Sequence, residues 1–176
     1  YITLNSEELF ENSIILPGKQ YKNSAGVVKY EYPDEDISIK CILFDYNWVN
    51  QHVQLQIQNS AMLTIREFID FLNLKDSNKR VYYSNGKRIP SLKLNQIYKQ
   101  IIGMEELLRG ESLDADFRVI NKVLHINYEH RLHSVTWRLE PRYSQPLEDC
   151  LMDPEEMSLD KWLKNATYQG LPPKNI

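Results

Sequence analysis

His52-Val-Gln-Leu-Gln-Ile-Gln58 alternates apolar Val53, Leu55 and Ile57 with polar Gln54, Gln56 and Gln58. That is the period of a strand with one buried face, so residues 52–58 are expected to be β. Downstream, Thr64-Ile-Arg-Glu67 has the form of a capping box, with Leu63 and Phe68 at the two positions of a hydrophobic staple. Ile65, Phe68, Ile69 and Leu72 then recur at helical spacing, which predicts a helix over 64–74 with one apolar stripe. Arg80-Val-Tyr-Tyr83 favours a strand and runs into Ser84-Asn-Gly-Lys87, where Asn-Gly supplies the positive φ angles of a tight reversal. The stretch therefore reads strand, helix, strand.

Outward towards the N-terminus, Ile37 to Phe44 reads as a strand buried on both faces, as a central strand is. Asp45 to Asn50 would turn it into 52–58 as a hairpin whose loop carries Tyr46 and Trp48. Gly26 to Tyr32 is a further strand, stopped by Pro33, with Asp34 to Asp36 as a solvated turn and Tyr21 to Gly26 as loop. Ile14-Ile-Leu16 is a short apolar segment ended by Pro17-Gly18, and Asn5 to Phe10 a short bracing helix.

Towards the C-terminus, Ser91 to Ile102 places Leu94, Ile97, Tyr98 and Ile101 at helical spacing. Met104 to Arg109 adds a helical turn, and Glu111 to Asp116 a surface insertion. Phe117–Ile120, Val123–Tyr128 and Val135–Leu139 are β-rich, with a turn at 129–132 and a stop at Pro141. Asp153-Pro-Glu-Glu156 signals a helix start, followed by a Leu159, Trp162 and Leu163 stripe. The expected organisation is an N-terminal extension (1–36), a core domain (37–139) with an insertion near 103–116, and a C-terminal extension (140–176).

The 176 residues carry a net charge of −3 and no apolar run long enough to span a bilayer. A general nucleic-acid field and membrane insertion are therefore not expected. The chain begins at Tyr1 without a signal-peptide pattern and reads as a fragment. Its two cysteines, Cys41 and Cys150, lie far apart, which fits a reduced, intracellular protein.

The order strand (37–44), strand (52–58), capped helix (64–74), strand (80–84), short helix and late strand (123–128) resembles the ubiquitin-like β-grasp fold. Arg80 to Ile89 and Leu92 to Ile97 look like that fold's third strand, turn and short helix. Within it the chain is most similar to the RAWUL domains of Polycomb-type RING proteins. The resemblance implies an α+β, mixed-sheet binding domain that recruits other protein subunits of a nuclear, chromatin-associated complex. No RING ligand pattern is present in the sequence, and no Gly-Gly follows the last strand.

Candidate chemistry is sparse. His125, His130 and His133 are the nearest approach to a metal cluster, but no Cys is close, so they are read as ordinary histidines. Tyr32-Pro-Asp34 with Asp36 and Lys40 resembles part of a metal-dependent nuclease, without its acidic-x-Lys pair. No nucleophile elbow or phosphate loop occurs. The expectation is a non-enzyme with no cofactor and no metal. Partner binding is assigned to Gln54, Gln56 and Gln58 along an edge strand, with Tyr46 and Trp48 packing on the incoming chain. Leu159, Trp162 and Leu163 supply a second docking face, in cis or in trans. The alternative is single-stranded nucleic-acid binding, with Arg80, Lys87 and Arg88 among the cations and Tyr82, Tyr83, Tyr98, Tyr128 and Trp137 as stacking platforms.

Overall fold

The computed structural model describes residues 13–38, 46–77, 79–102, 112–147 and 158–173. The protein is α+β, and its described residues form small antiparallel sheets, four α-helices and one 3-10 turn. It divides into two compact units, Tyr1–Phe44 with Asp70–Glu111, and Asp45–Ile69 with Ser112–Ile176.

In the first unit, β1 (Ser13–Leu16) pairs antiparallel with β4 (Glu35–Ser38), Ile14 opposite Ile37. β2 (Lys19–Lys22) pairs with β3 (Val28–Tyr32), Tyr21 opposite Tyr30, with a bulge between Tyr21 and Lys22. Ile14, Leu16, Tyr30, Tyr32 and Ile37 supply the core. Gly18 is required between β1 and β2, since a Cβ there would sit 2.7 Å from the Tyr32 carbonyl oxygen. The Asn85-Gly86 reversal forms, Gly86 at φ +84°. Its first arm lies beside β1, Ile15 N–H donating to Tyr82 O and Ser84 N–H to Ser13 O, each at 3.0 Å. α3 (Ser91–Ile102) buries Leu94, Ile97 and Tyr98, three of the four residues expected on its stripe.

The second unit holds α1 (Trp48–Ile57), the start of α2 (Ile65–Asn73), the sheet β5-β6-β7 and α4 (Leu159–Lys164). β5 (Asp116–Ile120), β6 (Val123–Leu132) and β7 (Leu139–Pro146) are all antiparallel neighbours. β5 and β6 are joined by Asn121-Lys122, both at positive φ as the tightest hairpin loop requires. The capping box at the start of α2 is made, Thr64 N–H donating to Glu67 Oε2 (2.8 Å) and Glu67 N–H to Thr64 Oγ1 (3.3 Å).

The expected apolar stripe of α2 is only part of its burial, because Arg66, Glu67 and Asp70 are buried as well. In the second unit, Arg66 Nη1 donates to Asn165 O, Asn165 Oδ1 and Thr167 O at 3.0 to 3.1 Å. In the first, Asp70 accepts from the hydroxyls of Tyr21 (2.6 Å) and Tyr32 (2.5 Å). Both charges are buried only because donors and acceptors are waiting for them.

Residues 52–58 are not a strand. They form most of α1, which Asn47 caps by accepting from Asn50 N–H at 2.9 Å. Asn59, at φ 55°, closes it with the two bonds of a Schellman motif, Ser60 N–H to Leu55 O and Asn59 N–H to Gln56 O. The edge strand expected at Gln54, Gln56 and Gln58 and the hairpin loop at Tyr46 and Trp48 are therefore both corrected. Trp48 is the first residue of the helix. Four smaller corrections follow. Lys19–Lys22 is a strand rather than part of a loop or turn, and β4 begins at Glu35, inside the expected acidic turn. The last strand is Leu139–Pro146 rather than 135–139. Ser158, not Asp153, caps the described C-terminal helix. The helices expected at 5–10 and 104–109, most of the 37–44 strand, Asp153-Pro-Glu-Glu156, Cys41 and Cys150 lie outside the described residues. None of the described helices is long and apolar enough to cross a membrane.

Candidate functional site

α1 lies against β6 and brings His52 to His130, while Asp114, two residues before β5, reaches in between them. Asp114 is held from three directions. Its N–H donates to Leu63 O at 2.8 Å, and its Oδ2 accepts His130 N–H at 2.8 Å. Its Oδ1 lies 2.5 Å from His130 Nδ1. The preceding residue is fixed too, since Trp48 Nε1–H donates to Leu113 O at 2.9 Å. Glu129, mid-strand at φ 58°, turns the backbone of β6 immediately before His130.

His52 Nε2 faces the same carboxylate oxygen at 3.6 Å, too long for a hydrogen bond, and is buried with no hydrogen-bond partner among the described residues. The side chains of His52 and His130 are each 4% exposed and that of Asp114 1%. Trp48 closes the cluster, its ring edge-on to His52 (4.4 Å between centroids) and to His130 (5.1 Å). Burial pushes the His52 imidazole below its ordinary pKa, with the Asp114 carboxylate pulling the other way. Burial likewise raises the Glu129 carboxyl, against the opposing pull of Arg142 and Arg131.

A second feature is the rim of the β5-β6-β7 sheet. β7 carries Pro141 and Pro146, residues without an N–H to offer a further strand. β5 has no proline, and among the described residues no strand lies on its outer side. Phe117 and Val119 share a sheet face with their cross-strand partners Ile126 and Leu124. Ile126 is fully buried, yet Phe117 is 49% and Val119 70% exposed, so the apolar face runs uncovered to the rim.

The residues singled out from sequence are dispersed. Trp48 belongs to the buried cluster. Gln56 is exposed, and its Oε1 accepts Leu132 N–H at 2.8 Å. Gln58 caps the end of α1, Gln54 is half-buried, and the Tyr46 carbonyl accepts from Gln51. Leu159 is exposed, while Trp162 and Leu163 are half-buried on α4. The segment after α4 is docked in cis by Arg66, with Leu171 buried. Arg80, Tyr82, Lys87 and Arg88 are exposed in the first unit. Tyr98 and Tyr128, each 2% exposed, present no face to a base and leave the stacking set.

Of the three histidines compared in the sequence, only His130 joins a cluster. His125 Nδ1 lies 3.0 Å from Val123 O, and His133 Nδ1 accepts from the N–H groups of Val135 and Thr136. Set against protein-family models, curated proteins and solved structures, the chain matches none of them.

Proposed function

We propose that the chain is a non-catalytic binding domain that recruits a partner polypeptide by adding an extended segment of that partner to the outer edge of β5. The observation that carries this reading is the contrast between the two rims of one sheet: β7 is blocked by prolines, and β5 is open and apolar. Register sharpens it. Ile120 and Val123 flank a two-residue loop and pair inward, and so does Arg118 with His125. The N–H and C=O groups of Phe117 and Val119 then point outward, and their side chains offer the incoming strand an apolar face.

The proposal keeps recruitment by an edge strand but moves it from 52–58, which is helical, to Asp116–Ile120. The second strand of the β-grasp and RAWUL resemblance is replaced by α1. A photo-crosslinking residue at Val119 tests it, with the equally exposed Leu92 of the other unit as control. The expected result is a partner that crosslinks from 119 and not from 92, and whose binding is lost in Val119→Pro, which removes an outward N–H and spares the inward ladder. Binding that survives the proline, or steeply salt-dependent oligonucleotide binding through Arg80, Lys87 and Arg88 instead, sinks the reading.

A further inference from the structure

We propose that His52 Nε2, Asp114 Oδ1 and His130 Nδ1 form a site for one transition-metal dication of the zinc type. Each of the three buried residues offers a ligand atom within 4.8 Å of the others, and Asp114 Oδ1 lies 3.6 Å from His52 Nε2 and 2.5 Å from His130 Nδ1. The inference is independent of the β5 edge.

His52 is the side chain that lacks what a metal would supply. A buried imidazole nitrogen without a hydrogen bond costs free energy, and this one is aimed at a carboxylate oxygen 3.6 Å away. A cation between them turns that cost into a bond. Two imidazoles and one carboxylate suit zinc and its neighbours, whereas magnesium and calcium take oxygen ligands. The carboxylate is set in advance, with Oδ2 tied to the His130 backbone N–H and only Oδ1 left to ligate.

When the metal takes Nδ1 of His130, the proton there passes through solvent to Nε2, so that the ligand is a neutral imidazole and Asp114 an ionised carboxylate. Their separation then opens from 2.5 Å to the ~3.3 Å required of two ligands about 2.0 Å from a tetrahedral ion. Three protein ligands leave a fourth position for water. Exposures of 1 to 4% at the ligands deny a substrate access, so the ion pins α1, β6 and the approach to β5 together and performs no catalysis.

The full chain is stripped with chelator, then titrated with Zn²⁺ and with Co²⁺. The expected result is one ion per chain, a raised melting temperature, and the intense visible band of a four-coordinate Co²⁺ site. His52→Gln and Asp114→Asn should each weaken binding at least about 100-fold, more than loss of a supporting hydrogen bond does. His125→Gln and His133→Gln should leave it unchanged. Should the cluster variants not fold, X-ray absorption of zinc-loaded wild type decides alone: two imidazoles in an all nitrogen and oxygen shell are expected. No uptake, undiminished uptake by a folded His52→Gln, or a sulfur ligand from cysteine would overturn the site.

Discussion

The Tyr98 hydroxyl donates to the Phe71 carbonyl from a residue only 2% exposed. Burial keeps its proton in place, raising its pKa well above the ordinary 10.0, helped by nearby Asp76 and opposed by a backbone hydrogen bond from the Lys75 region. The folded state therefore holds this proton at pH values where the unfolded chain has released it. Stability from Tyr98 is complete below pH 10 and falls as pH rises beyond it. Tyr98→Phe removes this buried hydrogen bond and should cost about 1 kcal/mol near pH 8. Above pH 10 the gap between variant and wild type should narrow, as urea denaturation at the two pH values would record. A gap that widens would mean that the hydroxyl is ionised in the folded protein. At this scale the sequence is least legible. His52 and Asp114 are far apart in the chain and lie on segments read as an edge strand and an insertion, so nothing local marks them as neighbours of His130.

The elements were legible wherever a local signal and the core agreed. The capping box, the Asn-Gly reversal and the paired β runs at 117–128 announce themselves by chemistry that acts within a few residues. α1 did not, because seven residues of alternating Val, Leu and Ile against Gln fit a strand, and that window is shorter than a helix needs to show its period. The face that is used runs through Trp48, His52 and Leu55, while Ile57, apolar by the alternation, is 73% exposed. Gln forms helices readily, and both end signals were in the sequence, Asn47 at the start and Asn59 at the stop. Asn47→Ala removes the cap and should destabilise the second unit by about 1 kcal/mol, with Asn47→Asp neutral within a few tenths. Equal losses in the two variants by urea denaturation would show that the side chain has some other duty. Pro141 misled in the opposite direction, being read as a strand stop although an outer strand tolerates it.

At the scale of the whole molecule the boundary between the two units falls within α2, between Ile69 and Asp70. Each unit closes on a buried charge from that helix: Asp70 beneath two tyrosine hydroxyls in one, Arg66 gripping the segment after α4 in the other. Gly170, at φ +78°, lets that segment approach, since a Cβ there would stand 2.7 Å from the Arg66 nitrogen. Arg66→Met keeps the bulk of the side chain but removes the charged donor that three acceptors share, which should cost about 2 to 4 kcal/mol. Because those acceptors belong to the second unit, hydrogen exchange should speed up for the amides of α1 and of β5 to β7. The amides of β1 to β4 and of α3 should exchange at wild-type rates, each unit opening by its own free energy. Uniform acceleration across both sets would show that the chain opens as one cooperative block, with α2 carrying the loss from one unit into the other.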